Sequence, residues 1–199
     1  HAHSCPATRG RAVTDRHHLL VRLLADLTRE LEGFVHIEPY DFQRAYRVRP
    51  DLQCFLESAK LVDVSIVHPL ARSYRSERFP AERREREKHR IWDAAASSSD
   101  IPFQPFVMET FGYIPDESLR FFKLFLFSPS RRECSYDLTL QKATQMASIC
   151  LQKGNAKVAR QGLSMALART AGNGFRCLGR VIGLALVVGP PVNCFWRCL

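Results

Sequence analysis

The stretch that decides the fold is Arg49-Pro-Asp51, then Leu52-Gln-Cys-Phe-Leu-Glu57, then Leu61-Val-Asp-Val-Ser-Ile-Val-His-Pro69. Strand interiors disfavour aspartate, so Asp63 within so apolar a run needs a reason. Side chains alternate along a strand, which puts Val62, Val64 and Ile66 on one face and Asp63 with Ser65 on the other. Leu52–Glu57 and Leu61–Val67 read as a hairpin turning near Ser58. With Asp51 opposite Ser65, Asp63 becomes its diagonal neighbour, and diagonal Cβ atoms lie roughly 7–8 Å apart. Two carboxylates at that spacing can converge on one cation. A one-residue slip would send them to opposite faces, so the reading depends on register. The plainer alternative is a pair of solvated acids beside an edge strand.

Upstream of the hairpin, Thr14 or Asp15 serves as an N-cap, and Leu19, Leu20, Leu23, Leu24, Leu27 and Leu31 recur at helical spacing. Gly33 ends this amphipathic helix, whose leucine stripe is core. Phe34-Val-His-Ile-Glu38-Pro39 reads as a short strand with an acid at its end. Earlier still, His1-Ala-His3-Ser-Cys5 and Arg16-His17-His18 carry zinc-type ligands. Cys5 and His17 (or His18) are one expected half of a zinc site whose other half lies upstream. A His-bearing terminus without metal explains the same residues. Because the chain begins at His1, it is expected to be a piece of a longer reading frame.

Downstream, Ala71–Arg78 is a polar loop and Pro80 suits the first turn of a helix. Ala81–Ala96 is that helix, dense in interleaved Glu and Arg whose i,i+3 and i,i+4 pairs stabilise an exposed face. Lys88 stands apart, because from this helix it can reach over the carboxylate face. Phe103–Glu109 reads as a fourth strand, Gly112 as a turn, and Glu117–Phe127 as a helix whose Phe121, Phe122, Leu124, Phe125 and Phe127 are core.

The chain holds 199 residues with a formal net charge of +9, which favours an anionic partner, nucleic acid first among them. Seven cysteines without a paired framework read as reduced thiols of an intracellular protein. The apolar run Val181–Val188 is too short to span a bilayer, so no membrane partner is expected. Cys194 and Cys198 lack the second pair that a zinc site needs.

The element order helix, strand, strand, strand, helix, strand, helix, with Glu38 before the hairpin, Arg49-Pro50-Asp51 entering it and Asp63 on its third strand, resembles the restriction-endonuclease-like core of the PD-(D/E)xK nucleases. More closely, the chain resembles the nuclease region at the C-terminus of non-LTR retrotransposon reverse transcriptases. The phrases that carry this are Arg16-His17-His18 before a leucine helix, Glu38-Pro39, Arg49-Pro50-Asp51, and Val62-Asp63-Val64-Ser65 through His68-Pro69. Glu87-Lys88 and Phe106-Val-Met-Glu109-Thr110 leading to Gly112 complete them. The likeness covers residues 1–127, with a fainter echo in Leu151-Gln-Lys-Gly-Asn155-Ala156.

That resemblance implies an α/β (α+β) fold and a Mg²⁺-dependent endonuclease that nicks target DNA so that the 3′ end primes reverse transcription. It makes Asp51 and Asp63 the metal-binding carboxylates and Glu38 an auxiliary acid. The lysine that such nucleases place two residues after the second acid is Ser65 here, so Lys88 is the candidate to supply its amine. Arg49, Arg83, Arg84, Arg86 and Arg90 are candidates for phosphate contacts, which hold a duplex without reading its sequence. The expected partners are DNA, the element's RNA and a reverse transcriptase domain of the same parent chain, in the nucleus.

By this reading residues 1–14 are the end of a zinc-binding motif, 15–127 the nuclease-like domain and 128–136 a linker. Residues 137–170 form two helices, Leu138–Gln152 and Ala156–Arg169, punctuated by Gly154-Asn155. Residues 171–199 lack period and caps and are expected to be poorly ordered. A catalytically inactive nucleic-acid-binding relic of such an element, or an interaction protein of unrelated origin, are the rival readings.

Overall fold

In a computed structural model, the residues described are 10–40, 42, 45, 49–126 and 136–172, leaving aside the side chains of 124–126, 136–139 and 169–172. The elements run α1 (Arg11–Glu30), β1 (Phe34–Ile37), β2 (Leu52–Phe55), β3 (Ala59–Val67), α2 (Pro80–Ser99), β4 (Phe103–Glu109), α3 (Asp116–Arg120) and α4 (Tyr136–Gly172). The fold is mixed α and β, built on one four-stranded sheet ordered β1-β2-β3-β4. The hairpin pairs are antiparallel, whereas β3 and β4 are parallel, as strands joined through a crossover helix must be. Two compact units divide the chain, His1–Gln161 and Gly162–Leu199. The sheet lies in the first; of the second, only residues 162–172 are described.

The two faces of the sheet receive different helices. Val62, Val64, Phe106 and Met108 point to the face covered by Leu20, Leu23, Leu24 and Leu27 of α1 and by Ala143, Ala147 and Leu151 of α4. Leu20, Leu24, Leu52, Val62 and Phe106 are fully buried there, and each such side chain contributes roughly 1.5–3 kcal/mol of hydrophobic stabilisation. The opposite face belongs to α2: Trp92 packs on Leu61, and Ala81 on Val67 and Val107. Asp63 and Ser65 lie on that second face, under α2. Phe121 and Phe122 meet the Phe106 ring at 6.1 and 5.2 Å; they are core, as the sequence suggests. The expected helix over 117–127 is instead the short α3 followed by a π-helical turn, Phe121–Leu126.

Several sequence expectations need correction. The hairpin register is offset by two residues: Leu52 pairs with Val62 and Phe55 with Ala59, so Asp51 does not come opposite Ser65. Carried one residue past Leu52, the register sets Asp51 opposite Asp63. A two-residue shift preserves which face each side chain takes, so the two acids stay together. α1 starts at Arg11, a turn before Thr14, because Ala12 and Arg16 are also buried. The left-handed residue after α1 is Glu32 (φ 59°), not Gly33. Gly33 is required by space: a Cβ there would meet the Leu56 side chain and lie 2.8 and 2.9 Å from the carbonyl oxygens of Thr28 and Phe55. Gly154-Asn155 does not break a helix, since α4 runs through it. The expected linker, 128–136, and tail, 171–199, fall almost wholly outside the described residues. No helix among those described is long and apolar enough to cross a membrane.

Candidate active site

β2 accompanies β3 only as far as Val62. Beyond it, Asp63–Val67 keep β4 on one side and border a cleft of roughly 570 Å³ on the other. A bare strand edge presents unpaired N–H and C=O groups, and here side chains take them. Asp51 Oδ2 accepts the Val64 N–H at 2.7 Å. His17 Nε2, from α1, lies 3.1 Å from the Val64 carbonyl oxygen and 3.2 Å from the same Asp51 Oδ2. Both neighbours are acceptors, so Nε2 carries the proton and donates to both. Asp51 and His17 thus complete the missing ladder, and Asp51 is fixed at the mouth of the hairpin.

The second acid comes from β3 itself. Asp63 is 6% exposed, and Lys88 Nζ, reaching in from α2, is 2.5 Å from its Oδ2. That contact is a buried ion pair. Burial raises the Asp63 pKa and the charge of Asp51 adds to it, against the opposing pull of Lys88 and His17. His17 experiences the converse. Burial works against its charged form, yet the hydrogen bond to Asp51, that carboxylate's charge, the Val64 carbonyl and Asp63 together raise its pKa.

Cationic groups line the rest of the cleft. Arg84 donates from Nε to Ser65 Oγ at 3.4 Å and from Nη1 to Glu87 at 3.1 Å. Arg16 is 3% exposed and donates to Asn155 Oδ1 at 3.0 Å. Asn155 in turn donates to the Thr110 carbonyl at 2.8 Å, and His68 Nδ1 sits 2.7 Å from Thr110 Oγ1. Arg16, His68, Arg84 and Lys88 all border the cleft that holds Asp51 and Asp63. Asn155, one of the faint echoes in the sequence, therefore ties α4 to the wall of the site.

Asp51, Asp63 and Lys88 come together; Glu38 does not. It takes a left-handed conformation (φ 49°) just after β1, and Arg49 pairs with it 2.9 Å away on an exposed surface. The candidate phosphate contacts divide likewise. Arg49 is engaged by Glu38, and Arg83 by Glu87 and Glu77. Arg86 and Arg90 are exposed on α2, and of the five only Arg84 borders the cleft. Cys5 lies outside the described residues, and His17 turns its Nε2 to Asp51 and the Val64 carbonyl. The roles of His17 and Arg16 were not read from the sequence. The signal was there: positions 16 and 17 continue the buried stripe of α1 through Leu20, Val21 and Leu24, where a plain surface helix would turn them outward.

Whether the donors suit a cation can be judged from their chemistry. Among the described residues no group of three or more His, Cys, Asp and Glu is placed to hold a metal. Mg²⁺ asks for less: one or two carboxylates, with water and substrate oxygens for the rest. Asp51 and Asp63 offer hard oxygens on an open cleft. The pair fits Mg²⁺. No family model matches the chain, and no curated protein is detectably similar to it.

Proposed function

We propose that this chain is a Mg²⁺-dependent endonuclease module of the restriction-endonuclease-like kind, one that nicks target DNA for a retroelement reverse transcriptase. The observation that carries the reading is the meeting of Asp51, Asp63 and Lys88 in one cleft, from three separate segments of chain. The retroelement setting, with its reverse transcriptase partner, element RNA and nuclear location, rests on the phrases quoted above.

Each residue then has a defined task. Asp51 and Asp63 would hold the cation, and Asp51 is kept in place by His17 and the Val64 N–H. When bound, the cation supplies polarisation of the phosphoryl oxygens and a lowered pKa for attacking water. Lys88 brings an ammonium to the carboxylate that binds the metal, where it offsets charge building on the phosphate in the transition state. It would supply the amine that such nucleases carry two residues after the second acid, where this chain has Ser65. Arg16 and Arg84 give the phosphate backbone a cationic wall.

The test is nicking of supercoiled plasmid by purified protein. Open circles should accumulate with Mg²⁺, stop with a chelator, and be lost in Asp63→Asn while binding of DNA persists. Cleavage that continues in Asp63→Asn, or no cleavage with Mg²⁺ or Mn²⁺, overturns the reading. Binding without cleavage would leave the inactive relic as the better account.

A further inference from the structure

A second cleft, of roughly 530 Å³, adjoins the first: Tyr74 lines both. Its walls are Pro69, Leu70, Tyr74 and Pro80, with Arg75 and Arg78 at its edge, Glu109 at the end of β4 and Glu77, whose carboxylate Arg83 offsets at 3.6 Å. The phosphate-positioning groups described above leave it unused. Its volume lies within the range of small-molecule sites, which pair apolar and aromatic walls with a few placed polar groups.

The lining specifies an occupant. Leu70 is 68% exposed, an apolar surface left open to water beside two exposed arginines. The Arg83 guanidinium covers one face of the Tyr74 ring at 5.4 Å, so a base would stack on the other. Glu109 is 9% exposed and its carboxylate accepts the Ala81 N–H at the start of α2. A carboxylate has about four lone-pair sites, so acceptor capacity remains toward the cleft. An aromatic side, an apolar lip, a buried acceptor and flanking arginines match a nucleobase with its phosphates: ring on Tyr74, exocyclic amine to Glu109, phosphates to Arg75 and Arg78.

We propose that this second cleft receives an unstacked nucleobase of the DNA strand whose scissile phosphate the cleft of Asp51, Asp63 and Lys88 would take. The inference rests on the nuclease reading, and it adds a source of preference for the base beside the nick. Extruding a base costs a few kcal/mol, least where the duplex is already open, so the site would favour unpaired or easily opened steps.

The test uses oligonucleotide duplexes carrying 2-aminopurine at successive positions around a mapped nick, bound to the full chain in EDTA so that no cleavage occurs. One position should brighten on binding as its base leaves the stack, and thymine placed there should react with permanganate. Tyr74→Ala and the pair Arg75→Ala/Arg78→Ala should abolish that signal and lower the preference for the adjoining base at least tenfold. Tyr74→Phe, which keeps the ring, should retain it. Glu109→Gln, which keeps an acceptor for Ala81, should shift the preference away from amine-bearing bases. Wild-type protein that binds and nicks with every position unchanged in fluorescence overturns this proposal alone. Protein that binds no DNA overturns it together with the nuclease reading.

Discussion

Asp51 accepts the Val64 N–H at 2.7 Å, and so stands on the edge of β3 where a neighbouring strand would otherwise be. The carboxylate is therefore part of the sheet's own hydrogen bonding. The arrangement has two effects. It holds one oxygen of Asp51 fixed beside Asp63, and it brings two like charges together that must be offset. His17 and Lys88 do the offsetting, each from a different helix.

The first expectation concerns His17. Its Nε2–H is shared between Asp51 and Val64, so His17→Ala removes one of the two contacts that hold the Asp51 oxygen and leaves the Val64 N–H to hold it alone. Groups that orient a metal-binding side chain typically contribute 10–100-fold to activity or metal affinity. Nicking by His17→Ala should fall by about that factor, with DNA affinity little changed. His17→Gln can present an N–H to the same acceptors and should recover part of the loss. Equal losses in both variants would show that the ring's shape matters rather than its proton.

Asp63 and Lys88 make a second expectation, about stability. Both side chains are largely buried, 9% and 13% exposed. Removing one partner of a buried pair leaves the other uncompensated and costs about 3–5 kcal/mol. Lys88→Met alone should therefore destabilise the protein severely, because it strands a carboxylate whose pKa burial already raises. Asp63→Asn with Lys88→Met should be more stable than Lys88→Met alone, since the stranded charge is gone. Urea unfolding of the wild type, both single variants and the double variant closes the cycle. No recovery in the double variant would mean that the pair contributes shape, not charge.

Gly154 allows a test in which two effects oppose one another. Within a helix, Gly→Ala ordinarily stabilises by roughly 0.5–1 kcal/mol. Here a Cβ at 154 would meet the Arg16 side chain and come 3.0 Å from its Cα, and Asn155 next to it holds the Arg16 guanidinium. Overpacking costs about 1–3 kcal/mol, so Gly154→Ala should destabilise, and it should lower nicking by moving Arg16 in the cleft wall. A more stable variant would show that α4 can slide away from α1 at no cost.

Much of this was readable in advance, and the failures have physical causes. β4 spans the expected residues because its flanks, Asp100 in a left-handed turn and Gly112 at φ 98°, mark both ends. The leucine stripe of α1 and the placing of Asp63 on the face opposite Val62 and Val64 follow from periodicity alone. Register does not follow from it: pairing Asp51 with Ser65 or with Asp63 leaves the same faces, and only the three-residue turn Leu56–Ser58 decides between them. Gly154 reads as punctuation because a sequence records the absence of a side chain without recording what fills the space. Glu38 reads as part of a site through its proximity in the chain to the hairpin, whereas its left-handed backbone turns it to Arg49.

The last expectation is a pH dependence outside the cleft. His89 on α2 has Nδ1 2.9 Å from Asp93 and Nε2 2.7 Å from Glu117, so both ring nitrogens face carboxylates. A neutral ring has one N–H and leaves one carboxylate without a donor, whereas the imidazolium satisfies both. Burial opposes the charge, but the two carboxylates outweigh it and raise the pKa. A histidine with a raised folded-state pKa contributes stability that is complete below its ordinary value of about 6.5. That contribution is lost as pH climbs through the higher folded-state value. With His89 a third exposed and Asp93 more so, solvent screening holds the effect to at most about 1 kcal/mol. In a chain of this size that is a Tm change of about 2–4 °C. Buried Asp63 and His17 push stability in the same direction, so the informative quantity is the difference between wild type and His89→Gln. Wild type should lose more Tm between pH 6 and pH 8.5 than the variant, by about that margin. Parallel curves would place the charge of His89 outside the forces joining α2 to α3.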